Sequence, residues 1–155
     1  MTEGVEDRLR ASGYELPAVL PPAGSYIPAI RAGVLLFTAG QLTFKEGRLP
    51  YTGKVGQEVS VEDAKEAARR CMLNALAAVK SEVGLENVRR IAKVTGYVAS
   101  AEGFTGQPEV MNGASDLIGD LFGDSGLHAR TAVSVAELPL DAPVEVELVV
   151  ELDRE

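Results

Sequence analysis

The sequence predicts a single α+β domain in which two helices cover one face of a sheet. Two segments, at about 60–84 and 108–123, repeat apolar residues with the 3.6-residue period of a helix. Five shorter segments are rich in Val, Thr, Ile and aromatic residues, as strands are. Their order is β-β-α-β-α-β-β. Because each helix has one apolar stripe, the two helices can cover only one sheet face, and the sheet is expected to be mixed.

The first two strands are predicted as a hairpin, Tyr26–Ile30 and Val34–Gln41, with Gly33 in the turn. The second strand does not alternate, because Val34–Ala39 is apolar on both faces. A strand of this kind is usually buried on both sides. Since the helices cover only one side, we expect another subunit to cover the other. Residues 42–57, with three glycines and Pro50, are predicted to form a long loop.

Both helices carry terminal signals. Ser60, with Asp63 three residues later, resembles a capping box, and Gly84 is expected to end this first helix. The second helix is expected to run from about Pro108 to Phe122, with Gly123 as its stop. Their apolar stripes predict which residues pack on the sheet. Cys71 lies within the first stripe, so we expect it in the core rather than at a reactive site.

Three further strands are predicted at Ile91–Ala99, Ala129–Glu137 and Val144–Leu152. The last strand alternates apolar and mostly acidic residues, so one of its faces should pack under the helices. The preceding strand alternates as well. We expect its two valines to join the helix-covered face, and its arginine and small residues to join the open face with the glutamates. These residues are Val133 and Val135 against Arg130, Ala132, Ser134 and Ala136.

Composition restricts the function. The 155 residues include fifteen basic and twenty-three acidic ones, giving a net charge of −8, which argues against a nucleic-acid partner. No apolar run is long enough to span a membrane, and Met1–Arg10 does not resemble a signal peptide, so we expect a cytoplasmic protein. Residues 1–20 are expected to form an extension, as a short helix or arm. No cluster has metal-ligand spacing, and no cofactor or metal is expected.

Three ordered motifs resemble the YjgF/RidA family. The segment Phe37–Gln41, FTAGQ, is similar to the family's F-T-S-G-Q hairpin, and His128–Val133 is similar to its P-A-R-S strand. Leu138-Pro139 followed by Val144–Glu147 is similar to its L-P…I-E-I-E ending. The resemblance implies a chorismate-mutase-like fold assembled as a homotrimer. It also implies clefts between subunits that bind a small carboxylic or imino acid, and cofactor-free hydrolysis of reactive enamines and imines to 2-keto acids and ammonia.

The same resemblance assigns the site. It implies that Arg130 clamps the substrate carboxylate, since a guanidinium matches a carboxylate with two parallel donors. Glu145 would hold the attacking water or relay a proton. The remaining substrate-binding residues are expected to be Tyr26, Ala39, Gly40, Asn112 and Ala132. The residues alone favour a different interpretation, in which Arg130 is an interface arginine paired with a nearby glutamate and Glu145 is one of several glutamates on a solvated strand face; the family resemblance reverses that preference.

Three departures from the family pattern leave the activity open. Ala39 replaces a serine, Ala132 stands where deaminating members often have cysteine, and His128 replaces a proline. His128 is either a turn residue without chemistry or an acid–base group. The functional hypotheses are therefore an imine deaminase, a non-catalytic protein that binds small carboxylates, and a ribonuclease or translation inhibitor. The acidic composition disfavours the third.

Overall fold

The computed structural model describes residues 3–154. The eight helices and strands are α1 Val5–Ala11, β1 Ala29–Ala32, β2 Leu35–Thr38, α2 Val61–Val83, β3 Val88–Ala99, α3 Gln107–Phe122, β4 Ala129–Val135 and β5 Val144–Leu152. Short 3₁₀ turns follow α2, α3 and β4, at Leu85–Asn87, Gly123–Gly126 and Pro139–Asp141. The predicted order β-β-α-β-α-β-β is confirmed, and the extension contains the short helix α1, of which Leu9 is buried.

The five strands form one mixed sheet in the order β1-β2-β5-β3-β4. The β3–β4 pair is parallel and the other pairs are antiparallel. The mixed α+β fold is therefore as predicted. Strand limits differ by a few residues: β1 begins at Ala29 because the preceding segment is a loop, and Gln41 forms only an isolated bridge, to Val146 of β5.

The helix ends follow the predicted chemistry. The Ser60 hydroxyl accepts a hydrogen bond from the Asp63 backbone N–H at 3.1 Å, which satisfies a donor that the first turn of α2 leaves unpaired. Gly84 ends α2 with a φ of 79°, a conformation that glycine adopts readily. Cys71 is fully buried on the apolar stripe of α2, and burial raises the pKa of its thiol to about 12. Its predicted core position is confirmed.

The helices cover one face of the sheet, which we call the covered face. Strand β5 alternates as predicted: its apolar side chains are buried there and the residues between them are only partly buried. The opposite face, which we call the open face, carries large apolar side chains. Ile30 is 57% exposed, Val133 42% and Phe37 40%. No helix within residues 3–154 is long and apolar enough to cross a membrane.

The two faces of strand β4 are exchanged relative to the prediction. Arg130 is aligned with the buried Val94 of β3, and Ala132 with Gly96, where an added Cβ would lie 2.2 Å from the Met111 sulfur of α3. Arg130 and Ala132 therefore lie on the covered face, and Val133 lies on the open one. The prediction was wrong because β4 is an edge strand. There, small Ala132 lets α3 pack closely, while the bulkier valine joins the exposed apolar patch.

Candidate functional site

Arg130 lies between the edge strand β4 and α3, in a group of polar residues that we call the arginine site. Its Nη1 donates to Asn112 Oδ1 at 2.8 Å and to Ser115 Oγ at 3.2 Å, and its Nη2 donates to the Pro108 carbonyl at 3.3 Å. These acceptors are spaced at i, i+4 and i+7 along α3, so they lie on one side of that helix. The helix therefore holds the guanidinium along one edge.

The other edge of the guanidinium is available. Nη1 uses both of its protons and Nη2 uses one, whereas the Nε–H and the second Nη2–H have no acceptor within the described chain. In a guanidinium the Nε–H is parallel to one of the two Nη2–H bonds, the arrangement that matches a carboxylate. No carboxylate among residues 3–154 forms an ion pair with Arg130. Within the described residues, Arg130 is therefore not paired with a glutamate of its own chain.

His128 extends the arginine site. Its Nε2 lies 2.9 Å from Ser115 Oγ, and its Nδ1 lies 2.6 Å from the Gly126 carbonyl oxygen. Ser115 thus touches both His128 and Arg130. The sequence reasoning missed Ser115. The signal that points to it is its position three residues after Asn112, which places both on the same side of a helix.

A second group, which we call the acidic site, lies on the open face. Glu145 is packed over Gly40, where an added Cβ would lie 2.1 Å from Glu145 Oε1. Glu145 is directly opposite Tyr97 on β3, and the Tyr97 hydroxyl donates to Glu147 Oε1 at 2.7 Å. Gly40 therefore provides the space that the Glu145 carboxylate occupies. Tyr97 and Glu147 are members that the sequence reasoning did not select.

Burial and neighbouring groups raise the pKa values of two residues in the acidic site. Burial, and then the neighbouring charge of Glu147, raise the pKa of Glu145 above its usual range. The hydrogen bond to Glu147 is the main cause of a raised pKa for Tyr97, with burial second. A carboxyl group with a raised pKa exchanges protons closer to neutral pH than an ordinary glutamate does, which suits acid–base work.

The two sites lie on opposite faces of the sheet. One row of paired residues runs from Glu145 through Tyr97 to Val133, and another from Leu148 through Val94 to Arg130. Paired residues point to the same face, so Glu145 lies on the open face and Arg130 on the covered face. Within one chain, the structure does not bring together the two residues expected to act on the same substrate.

The other predicted site residues divide between these groups. Asn112 binds Arg130 directly, and Ala132 follows Arg130 on the same face of β4. Gly40 contacts Glu145, and Ala39 precedes it, with its backbone N–H bound to the Pro28 carbonyl. Tyr26 lies in the loop before β1, half exposed, and its hydroxyl accepts from the Ala23 backbone N–H. None of Tyr26, Ala39 and Gly40 contacts Arg130.

Two other features lie away from both sites. A cavity of about 810 Å³ lies between the N-terminal extension, α2 and the loop before α2. No predicted site residue lines this cavity. Within residues 3–154 there is no group of three or more His, Cys, Asp and Glu side chains suited to a metal ion.

Known proteins resemble the chain over nearly its whole length. Residues 6–152 match the family model described as "YjgF/chorismate mutase-like, putative endoribonuclease". Protein TCP17 of Trypanosoma cruzi is 40% identical over 97% of this chain and 95% of its own length. A RutC family protein of Aquifex aeolicus is 34% identical over 86% of this chain and 93% of its own.

A solved structure agrees with the sequence matches. A protein of unknown function from Agrobacterium tumefaciens superposes with a TM-score of 0.90 at 42% identity, covering 96% of this chain and 93% of that one. The family model, which matches residues 6–152, covers the segments that carry the arginine and acidic sites. The chain therefore belongs to the YjgF/RidA family, whose relatives here are named RutC family proteins.

Proposed function

We propose that the protein is a cofactor-free deaminase that hydrolyses reactive 2-imino acids and 2-aminoacrylate-type enamines to 2-keto acids and ammonia. It acts in the cytoplasm as a homotrimer, with Arg130 of one subunit binding the substrate carboxylate at the boundary with the next. The observation that carries the proposal is the arginine site. A guanidinium is fixed along one edge by α3, while its two parallel N–H donors lack a partner within the described chain.

The separation of the two sites supports an assembly. Substrate bound at Arg130 is on the covered side of its own sheet and out of reach of its own Glu145. A second copy that docks its open face against the β4 edge supplies Gly40 and Glu145 to that substrate. Such docking also removes the apolar side chains of the open face from water, which favours association.

The reaction needs few groups. Arg130 holds the carboxylate, and Asn112 keeps the guanidinium in place. Glu145 of the neighbour takes a proton from a water molecule, whose oxygen then forms a bond to the imine carbon. Glu145 passes this proton to the nitrogen, which gives a carbinolamine. The hydroxyl proton of the carbinolamine then passes to the nitrogen, the carbon–nitrogen bond breaks, and ammonia leaves with the electron pair of that bond. The carbon keeps the oxygen as the ketone, so the products are a 2-keto acid and ammonia.

A coupled assay tests this proposal. Generating 2-iminobutyrate in the cuvette and following 2-ketobutyrate should give faster release with wild type than without protein. Losing two charge-assisted hydrogen bonds should lower kcat/KM of Arg130→Ala by about a hundredfold or more. The exposed Arg48, in the loop before α2, provides a control, and Arg48→Ala should match wild type. Equal rates for wild type and Arg130→Ala, with both proteins equally assembled on gel filtration, would reject the deaminase.

A second candidate is a protein that binds small carboxylates without catalysis. It is favoured by Ala39 and Ala132, which leave the proposed cleft without the hydroxyl and thiol that deaminating relatives often have there. In that case wild type binds 2-ketobutyrate, Arg130→Ala does not, and neither accelerates imine hydrolysis. Ribonuclease activity, the description attached to the family model, is disfavoured by a net charge of −8 and by the acidic site, both of which repel phosphates.

A further inference from the structure

His128 and Ser115 form a hydrogen-bonded chain, and for the neutral imidazole its direction follows from the Gly126 carbonyl. The Gly126 oxygen next to His128 Nδ1 can only accept, so Nδ1 carries the proton of the neutral imidazole. Nε2 is then a bare acceptor, and the Ser115 hydroxyl must donate its single proton to it. The oxygen of Ser115 consequently faces Arg130 with lone pairs only, and accepts from Nη1.

The far end of this chain is held by the backbone. Gly126 is buried, and an added Cβ there would lie 2.6 Å from the Ile118 carbonyl oxygen of α3. The 3₁₀ turn is thus packed directly on α3, which fixes the carbonyl that orients the imidazole. Arg130 donates to Ser115, Ser115 donates to His128, and His128 donates to the Gly126 carbonyl oxygen. Rotation of the serine hydroxyl toward Arg130 would break the bond to His128 and place two donors face to face.

We propose that His128 is a positioning residue for Arg130, acting through Ser115, and that it keeps the Nε–Nη2 edge of the guanidinium turned toward the substrate carboxylate. The proposal rests on the proposed function, because it concerns the same arginine. It gives a role to the histidine that replaces proline in the family pattern. A proline has no side-chain acceptor for Ser115, so an arginine held in this way depends on the histidine.

The structure also provides a matched pair of substitutions. The amide of a glutamine reaches about as far as Nε2 of histidine, so His128→Gln retains an acceptor for Ser115. The amide of an asparagine reaches only about as far as Nδ1, so His128→Asn retains the contact with Gly126 but not the one with Ser115. Ser115→Thr and Ser115→Ala make the same comparison at the other residue. Ser134→Ala, an exposed serine of β4, is the control.

The first measurement needs no ligand. His128 is the sole histidine of the 155-residue chain, so the ¹⁵N signals of a histidine-labelled sample report on it alone. In wild type we expect the neutral tautomer protonated at Nδ1, with Nε2 accepting a hydrogen bond. Ser115→Ala should shift the Nε2 signal, and Ser134→Ala should not. A proton on Nε2 in wild type, or an Nε2 signal that does not shift in Ser115→Ala, overturns the inference.

The second measurement is the affinity for 2-ketobutyrate, by calorimetry on the assembled protein. His128→Asn and Ser115→Ala should bind it about three- to tenfold more weakly, the effect of one lost hydrogen bond, and His128→Gln and Ser115→Thr should bind like wild type. If His128→Asn matches wild type while Arg130→Ala loses binding, the inference fails and the proposed function stands. If wild type does not bind, or Arg130→Ala binds equally well, the proposed function fails and the inference with it.

Discussion

The arginine site and the acidic site lie on opposite faces of the same sheet and carry opposite charges. The arginine site is built at an edge strand from side chains of α3 and β4, and it fixes a cation that has no anion within the described chain. The acidic site lies on the open face, where burial, and then the charge of Glu147, raise the pKa of Glu145 and so disfavour its ionised form. One region lacks an anion, and the other has an excess of negative charge.

The comparison indicates that neither region is complete alone. An unpaired guanidinium attracts a carboxylate, and a carboxyl with a raised pKa is suited to proton transfer, but the register of β3, β4 and β5 keeps them on opposite faces. A neighbouring copy is the simplest way to join them.

The largest effect is expected from a charge on the open face. Phe37→Glu places a carboxylate among apolar side chains that a second copy would bury, at a cost of several kcal/mol. We expect gel filtration to show a monomer and the coupled assay to show no activity. Val19→Glu, at an exposed valine of the N-terminal extension, is the control. An unchanged assembly of Phe37→Glu would contradict the role of the open face.

A methyl group at Gly40 should disable the acidic site and leave the arginine site intact. The backbone of Gly40 is not in the left-handed region, so alanine fits it, but the new Cβ would overlap the flexible end of Glu145. Displacing a general base should lower kcat by about a hundredfold or more, with 2-ketobutyrate affinity reduced much less. Gly119→Ala, on an exposed and open part of α3, should keep full activity.

Tyr97→Phe is expected to have a smaller effect. It removes the hydroxyl that donates to Glu147, so Glu147 is held less firmly beside Glu145. We expect kcat to fall by about two- to fivefold, the effect of one weakened hydrogen bond, with assembly unchanged. A loss as large as that of Gly40→Ala would mean that Tyr97 takes a direct part in the reaction.

The smallest effect is expected on stability. Because the pKa of Glu145 is raised in the folded protein, ionisation opposes folding as the pH rises through that value. The protonated Glu145 carboxyl therefore stabilises the folded protein at a pH below the ordinary glutamate pKa, and this stabilisation is lost at a pH above the raised pKa. Glu145→Gln does not ionise, so it should raise the melting temperature at about pH 8 and little or not at all at about pH 4. A gain that is equal at both pH values would contradict this explanation.

Much of the fold was predictable, because its signals are local. The stripe and caps of α2 and the strict alternation of β5 each depend on neighbours in the sequence. Strand β4 was oriented wrongly because Val133 and Val135 follow the pattern of a core face. Which side of an edge strand α3 covers is decided by close packing, here at Gly96 and Met111, and not by the pattern of β4 itself.

The candidate site was predictable only in part. Arg130, Asn112, Gly40 and Glu145 were identified through the family motifs, and the structure places the first two in one group and the last two in another. The contact between Ser115 and His128 depends on how the 3₁₀ turn after α3 folds back on that helix, which no local pattern specifies. Likewise, the bond between Tyr97 and Glu147 requires the register of β3 and β5.

Subunit complementation tests the central claim most directly. Arg130→Ala and Glu145→Gln chains, each inactive alone, are unfolded together in equal amounts and reassembled. If every site takes its arginine from one chain and its glutamate from the next, randomly reassembled oligomers should recover about one quarter of the wild-type activity. If a single chain supplies both residues to each site, the mixture should stay inactive, and the shared site would be contradicted.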